Sequence, residues 1–206
     1  MKKIKIMLVD DHAIVRMGLA SILGTKQDLE IVGEADDGET AIRKAQQLQP
    51  DVILMDMMLS GMDGAAATAE IHRKTPSCKI LILTTYGTSD GIAHALEAGA
   101  SGALLKTVEY PELIAAIRAV ADGQRVVAPE ISRQLRKHPP IPALTDRQRQ
   151  ILTSMVDGHT DADIANILKL SANSVRDHVT AIFNKLGAAN RAEAVAIALR
   201  KQLLKI

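Results

Sequence analysis

Five short β-rich runs, IKIMLV (4–9), EIVGEA (30–35), DVILM (51–55), KILILT (79–84) and GALLK (102–106), alternate with longer segments of helical apolar spacing near i, i+3, i+4 and i+7. Several of the runs are apolar throughout rather than alternating, and such a strand is stable only when both faces of its sheet are covered. Five βα units with right-handed crossovers meet that demand. The pattern predicts a doubly wound α/β domain with a five-stranded parallel sheet.

Beyond residue 144 no strand-like run follows, and four helical segments have recognisable starts. Thr145 with Gln148 and Asn190 with Glu193 have the spacing of capping boxes, Thr160 with Asp163 imitates one with a shorter acid, and Ser171 can cap the third helix. Gly158 and Gly187 sit where helices should stop. Three of the seven prolines fall within four residues of the stretch RQLRKHPPIPAL (133–144), where extended backbone is favoured. The expected organisation is therefore residues 1–127, a linker over 128–142, and a small all-α domain over 143–206.

Charge divides the same way. The net charge of +1 hides an asymmetry: residues 1–127 carry 13 Lys and Arg against 17 Asp and Glu, residues 128–140 carry 3 against 1, and residues 141–206 carry 9 against 6. An acidic front and a mildly basic rear predict different partners. Apolar residues make up 47% of the chain but aromatics only 1%, so the core must be aliphatic. The single cysteine, Cys78, excludes an internal disulfide and a cysteine metal cluster. The opening MKKIKIMLVDD meets acid too soon for a signal segment or a membrane span, so a soluble cytoplasmic protein is expected.

The apolar runs end on polar tips: Asp10-Asp11, Asp56, Thr84-Thr85 and Lys106. In a doubly wound sheet these ends share one edge, where ligands bind. Singly, each has a plain reading, since Asp after a strand is a common turn residue and a lone lysine is usually a solvated charge. Together they place three carboxylates, a hydroxyl and an ammonium in one crevice. Oxygen ligands without Cys favour Mg²⁺. With Lys106 and Thr84 opposite, the set is a receptor for a phosphoryl group, and an ionised carboxylate needs no general base to attack one in line. His12, beside the acid pair, is a poor Mg²⁺ partner and is expected to be structural. No P-loop or dinucleotide glycine fingerprint is present.

The stretches VDDHAIVRMGL, ILMDMMLSGMDG, ILTTYG and AGASGALLKT resemble the receiver domain of two-component response regulators. The resemblance implies that Asp56 is the phosphoacceptor and that Asp10, Asp11, Asp56 and the backbone carbonyl of Met58 hold Mg²⁺. It also implies that Thr84 and Lys106 contact the phosphoryl group, and that a histidine kinase's phosphohistidine is the donor. Three positions depart from the pattern: Ala103 where Tyr or Phe is usual, Ser60 where Pro is frequent, and Thr107 after the lysine. Without an aromatic at 103 the signal needs another route, and Tyr86 is a candidate for it.

Residues Thr160 to Leu168, a turn, and Asn173 to Leu186 have the layout of a helix-turn-helix. On the second helix Val175, Val179, Ile182 and Leu186 make one apolar stripe, with Asp177, Thr180, Ala181 and Asn184 facing away. On spacing alone an amphipathic core helix would look the same. With SVRDHV and NKLGAANRAEAV the segment resembles the LuxR-type DNA-binding domain, and the whole chain resembles the NarL/FixJ architecture. That resemblance implies base contacts by Arg176, Asp177 and Thr180, phosphate contacts by Lys185 and Arg191, and a homodimer on double-stranded DNA after activation. His178 is expected to support helix packing. Val195, Ala198 and Leu199 are placed either between subunits or in the core. Ala162, Asp161 and Arg147-Gln148 depart from the usual residues and imply modest non-specific affinity. The favoured function is a phosphorylation-switched transcription regulator. The alternatives are a DNA-binding regulator with a phosphorylation-independent receiver and a Mg²⁺-dependent phosphotransfer enzyme, which would need a second acid such as Asp63.

Overall fold

A computed structural model describes residues 3–85, 89–137, 144–200 and 203–204 of the chain. It contains two compact units, Met1–Pro140 and Ile141–Ile206.

The first unit is built on β1 (Ile4–Val9), β2 (Leu29–Ala35), β3 (Val52–Asp56), β4 (Lys79–Thr84), β5 (Gly102–Leu105) and β6 (Val126–Val127). All neighbours are parallel, in the order β2-β1-β3-β4-β5-β6. The helices are α1 (Ala13–Gly24), α2 (Gly38–Leu48), α3 (Gly64–Lys74), α4 (Ser89–Glu97), α5 (Tyr110–Ala121) and α6 (Pro129–Lys137). The apolar runs form strands because successive side chains enter different cores. Met7, Val9, Ile53, Met55, Ile80 and Ile82 pack with Ala41 and Ala45 of α2, Ile71 of α3 and Ile92 of α4. Ile6, Leu8, Leu54, Leu81 and Leu83 pack with Leu23 of α1 and Leu113 and Ile117 of α5. The doubly wound fold is as expected.

Two features differ from the sequence reading. The sheet has six strands, not five: Val126–Val127 pairs with Gly102–Ala103. A two-residue strand has no periodicity to display. Its docking depends on Gly102, since a Cβ there would lie 2.1 Å from the Val126 carbonyl oxygen. Residues 129–137, expected within an extended linker, instead form α6. Its Ile131 is fully buried in the first core and Leu135 packs against it, so a helix with Pro at its first position is favoured over extended chain. The proline cluster at 139, 140 and 142 lies outside the described residues.

The second unit comprises α7 (Asp146–Val156), α8 (Asp161–Leu168), α9 (Ala172–Leu186) and α10 (Arg191–Arg200) around Ile151, Leu152, Ile164, Val175, Ile182 and Ala194. Thr145 and Gln148 make the reciprocal capping box, as do Thr160 and Asp163. Ser171 accepts from the Ser174 amide. Asn190 accepts from the Glu193 amide, but Glu193 reaches back one residue further than expected, to the Ala189 amide. Gly158 and Gly187 both adopt positive φ, where the chain leaves a helix.

Candidate phosphoacceptor site and nucleic-acid interface

Parallel register brings the four strand tips together. Val9 aligns with Met55, Asp56 with Leu83 and Thr84 with Leu105, so the tips follow one edge. The Lys106 amide donates to the Thr84 carbonyl at 2.7 Å, which fixes where the lysine side chain starts. Its Nζ lies 2.5 Å from Asp10 Oδ2 and 2.7 Å from Asp56 Oδ2. Both carboxylates are buried, with 3% exposure each. The other oxygen of Asp56 accepts from the Met58 amide at 3.2 Å, and that of Asp10 accepts from the His12 amide at 2.9 Å.

The electrostatics follow from this burial. Desolvation pushes the Asp56 carboxyl above the usual carboxylate range, against the pull of its hydrogen bond from Lys106. Burial also opposes the charge on Lys106, but its bonds to Asp10 and Asp56 outweigh that, and its pKa is raised. One ammonium between two buried carboxylates still leaves negative charge, and Asp11 adds more at the partly open rim. Asp10, Asp11, His12 and Asp56 can each offer a ligand atom within 4.8 Å of the others. Three carboxylate oxygens so placed match the needs of a hard divalent cation.

Thr84 supplies the complementary group. It is fully buried, and its Oγ1 has no hydrogen-bond partner among the described residues. A buried, unpaired hydroxyl of this kind costs about 1–3 kcal/mol. Thr85, next along, is exposed.

Several contributors were not legible in the sequence. Gly64 opens α3 against Asp56, and a Cβ there would lie 2.2 Å from the Asp56 carbonyl oxygen. Arg16, within VDDHAIVRMGL, donates to the Asp10 carbonyl. His12 is not a packed structural residue: its side chain is 69% exposed, with Nδ1 2.7 Å from Asp11 Oδ1 and 3.2 Å from Asp10 Oδ1. Ser60 bridges to Asp37 beside α2, which anchors the turn after Asp56. Ala103 is fully buried in the sheet. Tyr86 lies outside the described residues.

In the second unit Val175, Val179, Ile182 and Leu186 of α9 are buried, as the stripe predicted. Arg176, Asp177, Thr180 and Asn184 are exposed along the helix. Thr180 Oγ1 donates to the Arg176 carbonyl at 2.9 Å. The two residues expected at phosphates are engaged internally. Lys185 Nζ donates to Gln148 Oε1 at 2.9 Å, and Arg191 pairs with Asp161 at 2.9 Å and donates to the His159 carbonyl. Of the α10 residues placed between subunits or core, Ala198 is buried and Val195 packs on the unit's own core, whereas Leu199 is exposed.

Residues 6–118 match the family described as the response regulator receiver domain, and residues 142–198 match the bacterial regulatory proteins of the luxR family. The chain is a response regulator. It is 39% identical to the transcriptional regulatory protein LiaR of Bacillus subtilis, over 98% of this chain and 99% of LiaR. Among solved structures, ChrA, the response regulator of a heme-sensing two-component system, is 36% identical with a TM-score of 0.59, covering 99% of this chain and 100% of that one. A structure of two RcsB dimers bound to two parallel DNAs is 25% identical with a TM-score of 0.66, over 97% of this chain and 99% of that one. A receiver joined to a LuxR-type helix-turn-helix makes this response regulator a phosphorylation-regulated, DNA-binding transcription regulator, in a family of regulators rather than classical enzymes. Among the described residues no helix is long and apolar enough to cross a membrane.

Proposed function

We propose that Asp56 is the phosphoacceptor and that a sensor histidine kinase is the donor. The observation carrying this reading is the Lys106 ammonium shared between two buried carboxylates, Asp10 and Asp56, beside the orphaned Thr84 hydroxyl. A carboxylate oxygen of Asp56 forms the new bond to phosphorus as the phosphorus–nitrogen bond of the phosphohistidine breaks. Lys106 shifts from pairing two carboxylates to neutralising the arriving phosphoryl oxygens, and Thr84 donates to one of them. Asp10, Asp11, Asp56 and the Met58 carbonyl are the residues that would hold Mg²⁺, which supplies further charge neutralisation at the same oxygens.

The output is binding to double-stranded DNA as a phosphorylation-promoted homodimer in the cytoplasm. Arg176, Asp177 and Thr180 are assigned to bases because α9 leaves them exposed while its opposite face is buried. Lys185 and Arg191 are assigned to phosphates, and each must then exchange or share its internal partner. The phosphotransfer-enzyme reading loses support because Asp63, its candidate second acid, caps α3 by accepting from the Ala66 amide at 2.7 Å. The test is labelling with a small phosphoryl donor in Mg²⁺, followed by DNA binding and oligomeric state on the same samples. Wild type is expected to gain label, dimer and affinity, and Asp56→Asn none of them. Equal DNA binding by both would favour the phosphorylation-independent receiver.

A further inference from the structure

The carbonyl of Asp10 lies beyond the last ladder pair of β1, Val9 with Ala35, so the sheet offers it no donor. Arg16 supplies one. Its Nη1 donates to that carbonyl at 2.5 Å while its Nε donates to Glu34 Oε2 at 3.2 Å, and its side chain is only 16% exposed. The Asp10 amide is held in turn by the Ala35 carbonyl at 3.2 Å. The Asp10 carbonyl and the Asp11 amide belong to one rigid plane. Fixing that carbonyl therefore fixes the peptide that joins the two acids, and with it the directions in which their side chains leave the backbone. Glu34 holds the guanidinium from its other side, and the Glu34 carbonyl is itself held by Lys44 Nζ at 2.5 Å.

We infer that Arg16 is a positioning residue for cation binding, setting the mutual orientation of Asp10 and Asp11 through their shared peptide plane. The inference rests on the proposed Mg²⁺ site. It has a sign that a purely electrostatic role lacks. A guanidinium beside an acidic cluster repels a divalent cation, so on charge alone its removal tightens Mg²⁺ binding. If its part is to orient the acids, its removal weakens binding, by about tenfold on the scale of residues that orient metal ligands.

The experiment is calorimetric titration of the full chain with Mg²⁺, for wild type, Arg16→Ala, Arg16→Lys, Glu34→Gln and Asp11→Asn. The expected order of affinity is wild type, then Glu34→Gln, then Arg16→Lys, then Arg16→Ala. Lysine recovers part of the loss because an ammonium reaches the carbonyl without the planar fork that Glu34 steadies. Labelling of Asp56 by a small phosphoryl donor, followed across a Mg²⁺ titration, should need a higher Mg²⁺ concentration to reach half its maximal rate in Arg16→Lys and Glu34→Gln than in wild type. Unchanged or tighter Mg²⁺ binding in the Arg16 variants overturns the inference. If Arg16→Ala does not fold, equal binding by Arg16→Lys, Glu34→Gln and wild type overturns it as well. Absence of saturable binding by wild type, or equal binding by Asp11→Asn, instead refutes the metal site on which the inference stands.

Discussion

Replacing Thr84 by valine removes Oγ1 and keeps the branched shape. Because that atom is buried without a partner among the described residues, its removal is expected to stabilise the unphosphorylated protein. The penalty relieved is about 1–3 kcal/mol. In a unit of this size that raises the unfolding midpoint by roughly 3–10 °C. In the proposed phosphoryl site the same change would delete a hydrogen bond to a charged phosphoryl oxygen, a loss of about 1.5–3 kcal/mol, so affinity for a phosphoryl mimic should fall by roughly ten- to hundredfold. The assay is differential scanning calorimetry with and without beryllofluoride and Mg²⁺. The two proteins should change places: Thr84→Val unfolds later without the mimic, and wild type gains far more stability when it is added. A Thr84→Val protein less stable than wild type without the mimic would refute the reasoning, since its hydroxyl would then be satisfied before any phosphoryl group arrives.

Lys106→Met leaves Asp10 and Asp56 buried without their cation and should cost about 3–5 kcal/mol in urea unfolding, part of it restored by Mg²⁺. In that variant Asp56, which burial already pushes upward, is raised further. A carboxyl with a higher pKa folded than unfolded favours the native state as it takes up a proton, so acidification from neutral pH through the folded pKa should recover stability. Burial likewise pushes the Cys78 thiol up to about 12, so alkylation at pH 8.5 should be slow in the native protein and fast in urea. The stability tied to that thiol is fully present below the unfolded pKa of about 8.5 and is lost as the pH climbs towards the folded value; Cys78→Ala should flatten unfolding curves across that window. Lys185→Ala and Arg191→Ala should lower the unfolding midpoint as well as DNA affinity, because both side chains tie elements of the second unit together. Loss of affinity with no thermal shift would show that those internal bonds contribute nothing to the fold.

What the sequence disclosed and what it hid divide along physical lines. The sheet was legible because strands covered on both faces must be apolar throughout, and the clustering of Asp10, Asp56 and Lys106 was legible because the tips of a parallel sheet share one edge. Thr84 and Lys106 announced themselves by interrupting apolar runs. Arg16 and Gly64 did not, because one acts on a backbone carbonyl and the other by lacking a side chain where α3 meets Asp56. The partners of Lys185 and Arg191 lie 37 and 30 residues away, beyond any local pattern. Helix α6 was obscured because the neighbouring prolines dominated the reading, while only Ile131 and Leu135 gave it an apolar face.

The same helix gives Ala103 a physical context. Its backbone pairs with Ile82 on one side and Val127 on the other, and its carbonyl accepts from the Ala128 amide at 2.9 Å. Its methyl group lies in the core that Ile131 and Val127 help to fill. A large ring here would have to displace β6 or α6, so the small residue and the added strand belong together. The Lys106 amide is bonded to the Thr84 carbonyl, and β5 continues through Ala103 to Ala128 at the start of α6. These backbone hydrogen bonds link Thr84, β5 and the residue before α6 along one sheet edge, where the small side chain of Ala103 leaves room for β6.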